Sequence, residues 1–119
     1  METRYLFRGK RIDNGEWMIG NLIRTDEGVY IIQNYVPQYL IKDYEVDPST
    51  ICQCTGLKDK NGKLIWENDI CKYQWNGKTK IDVIKYDPPM FSYSGAMRWN
   101  LDCDEVIGNK FDNPELLEV

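Results

Sequence analysis

The chain has no histidine among its 119 residues, and its four cysteines, Cys52, Cys54, Cys71 and Cys103, never form a Cys-x-x-Cys pair. The first absence removes the commonest general base and the commonest metal-ligating side chain. The second leaves structural zinc only if all four thiolates converge, and small buried thiols account for the same residues. Long apolar runs are missing too. Residues 29–44 are broken by Gln33, Asn34, Pro37, Gln38, Lys42 and Asp43, so no segment reaches membrane-spanning length. The opening METRYLFRGK has neither the apolar run nor the small-residue cleavage site of a secretory leader. The expectation is a soluble chain in a reducing cytoplasm, with free thiols, no metal, no cofactor and no membrane contact. Arginine is absent between residues 25 and 97, and a formal charge of −4 gives no overall pull toward nucleic acid.

What is present suits one domain spanning residues 1–119. A hydrophobic fraction of 42% and an aromatic fraction of 13% are enough for a core and argue against disorder. Charge is uneven: residues 51–86 carry seven lysines and four acids, residues 87–119 two basic residues and seven acids. Turn signals recur at Asp13-Asn14-Gly15, Asp26-Glu27-Gly28, Asn61-Gly62 and Asn76-Gly77, with short runs rich in Ile, Val, Tyr, Trp and Thr between them. That pattern predicts an all-β fold of antiparallel hairpins, and no window of a dozen residues holds a clean helical stripe. The exception is Asn113-Pro114-Glu115-Leu116-Leu117, a short C-terminal helical turn with Asn113 as its cap. Residues 34–50, with Pro37 and Pro48, read as the least regular part.

The clearest hairpin is DICKYQW-NG-KTKIDVIKY. A two-residue Asn-Gly loop fixes the register, pairing Trp75 with Lys78, Tyr73 with Lys80, Cys71 with Asp82 and Ile70 with Val83. One face then collects Ile70, Ile81 and Val83; the other collects Cys71, Tyr73, Trp75, Ile84 and Tyr86, with Lys78 and Lys80 near the tip. Both faces are partly apolar, so something must cover each.

The densest chemistry lies in TGLKDKNGKLIWENDI, residues 55–70. As a calcium loop of the EF-hand type it fails on spacing. Counting from Asp59, the fifth position is Lys63 and the glycine comes two residues early. As a catalytic pair, Glu67 and Asp69 share a strand face, but Asn68 between them readily takes a left-handed turn. The turn reading is preferred: Asn61-Gly62 closes one hairpin, and Glu67-Asn68-Asp69 bends the chain into the next. Hairpins meeting at such a polar corner curl into a small barrel.

The stretch VDPSTICQCTGLKDKNGKLIWENDI, residues 46–70, resembles the YopX protein family of phage and prophage proteins from Gram-positive bacteria. The matching positions are Val46, Pro48, Thr50, Gln53, Thr55, Gly56, Leu57, Asp59, Gly62, Ile65, Trp66, Glu67, Asp69 and Ile70. The opening FRGKRIDNGEWMIGNLI and the close EVIGNKFDNPELL are similar to the family's usual ends, so the likeness covers nearly the whole chain. Asn68 departs from the family's usual glycine and keeps a left-handed turn available. The resemblance implies a mostly-β domain with an SH3-like barrel and a tendency to self-associate. It implies no reaction; Thr55, Gly56, Asp59, Gly62, Glu67, Asn68 and Asp69 stand as structural positions of the motif.

Three functions compete. The first is a homo-oligomeric interaction module in the bacterial host cytoplasm, binding itself or a host protein through Trp17, Tyr73, Trp75, Ile84 and Tyr86, unless these pack under the chain's own N-terminal hairpin. The second, disfavoured by net acidity, is nucleic-acid binding, with bases stacked on Tyr73 and Trp75 beside Lys72, Lys78 and Lys80. The third is an enzyme using Glu67, Asp69 or the Cys71 thiol. No nucleophile–base pair is recognisable, so the expectation is that the protein is not an enzyme.

Overall fold

The computed structural model describes residues 6–33, 35–87, 90–93 and 103–117. The chain divides into two compact units, Met1–Cys54 and Thr55–Val119. Both are built from antiparallel strands, which is the all-β class that the turn spacing implies. Among the described residues the strand pairings form linear ladders, without closure into a barrel.

In the first unit, β1 (Phe7–Lys10), β2 (Trp17–Arg24) and β3 (Val29–Ile32) follow one another as a meander. Its two connections are the Asp-Asn-Gly and Asp-Glu-Gly turns, whose residues favour tight reversal. Lys10 lies opposite Trp17 and Phe7 opposite Gly20, while Leu22 lies opposite Ile31. The first residues of β4 (Cys52–Lys58) pair with the free edge of β1, Arg8 opposite Cys52. The segment expected to be irregular holds two 3-10 turns, Gln38–Tyr44 and Pro48–Thr50. The second is specified locally. The Asp47 carboxylate accepts from the Ser49 backbone N–H at 3.0 Å and from its hydroxyl at 2.8 Å, and Pro48 sits where no donor is needed. Thr50 then ties this turn to β1, its hydroxyl donating to the Asp47 carbonyl at 2.7 Å and accepting from the Lys10 N–H at 2.8 Å.

Tyr30, Ile31, Val46, Cys52 and Cys54 are buried in this unit. Gly20 is required by close approach: a β-carbon there would run into the Ile32 backbone carbonyl. Gly20→Ala is therefore expected to destabilise by about 2 kcal/mol, as overpacking does, read as a lower urea midpoint.

In the second unit the remainder of β4 turns into β5 (Leu64–Trp66). There follow β6 (Asp69–Trp75), β7 (Lys78–Asp87), β8 (Met90–Tyr93) and β9 (Glu105–Asn109). The last four form a sheet in the order β8-β7-β6-β9. Asn76 and Gly77 both take positive φ, at 53° and 76°, as a two-residue hairpin loop of this kind demands. The register is the one that the loop dictates: Trp75 with Lys78, Tyr73 with Lys80, Cys71 with Asp82, Ile70 with Val83. One ribbon face, Cys71, Tyr73 and Ile84, packs with Ile65, Cys103 and Val106 as this unit's core. The last of the described residues form a 3-10 turn, Pro114–Leu117. Asn113, expected as its cap, bonds backward instead, its side-chain oxygen accepting from the Asn109 N–H at 3.2 Å. The carboxamide occupies space beside Gly108, where any side chain would collide with it.

Candidate functional site

The motif residues between Thr55 and Asp69 belong to the second unit, and the side chains of Thr55, Asp59 and Asp69 bond to backbone groups. Thr55 donates its hydroxyl to the Ile65 carbonyl at 2.7 Å and accepts from the Leu57 N–H at 3.1 Å, fastening β4 to β5. Gly56 and Gly62 sit at φ 79° and 81°. Asp59 is buried and accepts three times at 2.9 Å: Oδ1 from the N–H groups of Asn61 and Lys63, Oδ2 from that of Val106. Two of these bonds build the turn; the third reaches across to β9. Desolvation pushes the Asp59 carboxyl up. The Val106, Lys63 and Asn61 donors, with the Lys63 charge, outweigh it and hold the pKa below the ordinary aspartate value.

Glu67 and Asn68 form the corner before β6. Asn68 is left-handed, at φ 72°, and buried. Its N–H donates to the Ile84 carbonyl at 2.8 Å, and its own carbonyl accepts from the Lys110 N–H at 3.0 Å. Asp69, also buried, accepts from the Trp66 N–H at 2.8 Å. The arrangement is what a turn needs, with carboxylate oxygens taking the donors that a reversal leaves unmatched.

All four cysteines are free and buried. Cys71 and Cys103 share the second unit's core, whereas Cys52 and Cys54 belong to the first. Hydrogen bonding with Cys103, then burial, pushes the Cys71 thiol far up, leaving it protonated and a poor nucleophile at neutral pH. Among the described residues no three His, Cys, Asp or Glu side chains group as a metal site.

The aromatic surface proposed from the sequence is divided. Tyr73 and Ile84 are interior, in one buried cluster with Ile65 of β5, Cys103, and Val106 of β9, which pairs along the edge of β6. That places both in the core rather than on an exposed face, which corrects the sequence-based expectation for these two residues. Trp75, at the tip of the same face, stays 48% exposed. Trp17 is half-buried in β2, with the Arg8 guanidinium 4.6 Å and the Lys10 ammonium 5.4 Å from its ring centroid. Cross-strand pairing of β1 with β2 brings these cations over the indole. The side chain of Tyr86 lies outside the described residues.

The sequence reading missed a second surface. Tyr35 and Tyr39 are 88% and 83% exposed, and Leu40 beside them is exposed as well. Between this segment and the β2–β3 turn runs an open groove of about 370 Å³. Thr25, Asp26 and Glu27 line it from the turn, and Gln38, Tyr39 and Lys42 from the 3-10 turn. The available signal was the composition of residues 35–41, five apolar or aromatic side chains interrupted by Pro37 and Gln38, too short and broken for a strand.

These features define a class: an antiparallel hairpin protein whose polar motif bonds to backbone and whose exposed aromatics belong to other segments of the chain. The chain belongs to the YopX protein family, whose profile matches residues 6–118. It is also similar to the crystal structure of protein EF1440 from Enterococcus faecalis, at 25% identity and a TM-score of 0.58, over 94% of this chain and 96% of that one. No curated protein matches it.

Proposed function

We propose that this YopX-family protein is a protein-interaction module that associates with copies of itself, in the cytoplasm of a bacterial host carrying a phage or prophage. The observation that supports this most is the exposed run of Tyr35, Tyr39 and Leu40, large amphipathic side chains of the kind enriched at interfaces. The engagement of Asp59 and Asp69 by backbone donors, and the high pKa of the Cys71 thiol, favour interaction over catalysis. Among the described residues no helix is long and apolar enough to cross a membrane.

Light scattering over a concentration series tests the reading. The wild type is expected to gain mass with concentration. Tyr35→Ser/Tyr39→Ser is expected to lose that gain without a change in urea midpoint, since both side chains are exposed. A wild type that stays monomeric at every concentration overturns the proposal. Nucleic-acid binding is the second reading, favoured by Trp75 lying on one ribbon face with exposed Lys78 and Lys80. It calls for a salt-sensitive shift of labelled single strands, and no shift at low salt removes it.

A further inference from the structure

We propose that the groove beside the β2–β3 turn of one copy receives the β6–β7 hairpin tip of a second copy. This rests on the self-association reading above and names the two surfaces that meet. Charge identifies the occupant. Residues 25–47, which build the groove and its surroundings, carry Asp26, Glu27, Asp43, Glu45 and Asp47 against the single base Lys42. Residues 70–81, the hairpin from mid-strand through its tip, carry Lys72, Lys78 and Lys80 and no acid. Lys72 reaches Glu105 at 3.5 Å, which offsets part of its charge. Lys78 and Lys80 are exposed and make no ion pair among the described residues; the same holds for Asp26 and Glu27.

Chemistry beyond charge agrees. The register puts Trp75, Lys78 and Lys80 on one face of the ribbon, so the tip offers an indole with two ammonium groups. The groove offers the exposed Tyr39 beside the Asp26 and Glu27 carboxylates, partners for a cation over an aromatic face and for an ion pair. Lys42 on the groove wall is a like charge that the tip meets, and the Arg11 guanidinium donates to the Asp43 carbonyl nearby at 3.1 Å. A cavity of about 370 Å³ holds a few side chains, and a two-residue loop is the narrowest end that a pair of strands can present. So small a contact makes a weak complex, sensitive to salt because its charges stand near the surface. The contact joins unlike surfaces, so it closes as a reciprocal pair of copies or continues from copy to copy as a ring or open chain.

Sedimentation velocity on the full chain tests this with two charge-reversed variants, Lys78→Glu/Lys80→Glu and Asp26→Lys/Glu27→Lys. All four positions are exposed, and an unchanged urea midpoint confirms folding. Each variant alone sets like charge against like and is expected to weaken association at least about tenfold. An equimolar mixture restores opposite charges at both kinds of contact and is expected to recover association. The wild-type complex is expected to dissociate as salt rises from about 50 to about 500 mM. Should a reversed variant fail to fold, Lys78→Gln and Asp26→Asn test the weakening alone, with a smaller expected effect, and two variants that both match the wild type overturn the contact. A wild type that associates while both variants match it, or a mixture without rescue, overturns the groove-and-tip contact and leaves self-association standing. A wild type that never associates overturns both. Binding of a single-stranded DNA probe that Lys78→Glu/Lys80→Glu abolishes, without self-association, assigns the tip to nucleic acid instead.

Discussion

Asp59→Ala is expected to lower the stability of the protein by about 4 kcal/mol, the largest effect of any change to the motif. Hydrogen bonds to a charged acceptor contribute roughly 1.5–3 kcal/mol, and a buried donor left without a partner adds its desolvation penalty. The three bonds that Asp59 accepts are not equal in this respect. Asn61 and Lys63 are exposed, so water can replace the carboxylate at their N–H groups; the Val106 N–H is buried and has no such substitute. Asp59→Asn keeps one acceptor oxygen and is expected to lose about half as much. Acid should act as the substitution does. The folded-state pKa lies below the unfolded one, so the contribution is complete above the unfolded aspartate value and is lost as pH falls through the folded one. Urea titrations followed by tryptophan fluorescence between about pH 7 and pH 2 read this directly, bracketing the unfolded value of about 3.9. The wild-type curve should drop more steeply in acid than that of Asp59→Asn. Parallel curves would mean that the carboxylate does not carry the turn.

Ile84→Ala is expected to cost about 3–4 kcal/mol, and Trp75→Ser clearly less. Both residues lie on the same face of one ribbon. Ile84 is fully buried beside Cys71, Tyr73, Cys103 and Val106, so truncation leaves a cavity as well as losing transfer energy. Trp75 is outside that buried cluster and 48% exposed, so its truncation leaves no enclosed cavity. The pair separates core from surface on one strand face by two denaturation curves. Equal losses would show that the tip is packed rather than presented.

The register of that hairpin was legible in the sequence because it is set locally, by two residues that tolerate positive φ. Bonds of two motif acids are local in the same way: Asp59 with Asn61 and Lys63, and Asp69 with Trp66, are partners within a few residues. What lay hidden was anything that depended on a distant strand. The sequence shows that both ribbon faces are apolar, but not that Val106 comes from far downstream into one buried cluster with Tyr73 and Ile84. Nor does it show the third bond of Asp59, 47 residues away. Trp17 was readable as a large aromatic; its cover by Arg8 and Lys10 follows only from how β1 registers against β2. The groove was hardest to foresee, since a 3-10 turn carries neither the period of a strand nor that of a helix.

The reach from Asp59 to Val106 also orders events during synthesis. A nascent chain can complete the 59–63 reversal at once, yet the outer strand that the same carboxylate clasps emerges from the ribosome only several seconds later, at ordinary elongation speed. Until then β6 has an unpaired edge, its backbone N–H and C=O groups open to any other strand nearby. Crowded translation, rather than the finished fold, is where this protein is most prone to wrong partners, and slow elongation between residues 75 and 105 would lengthen that window.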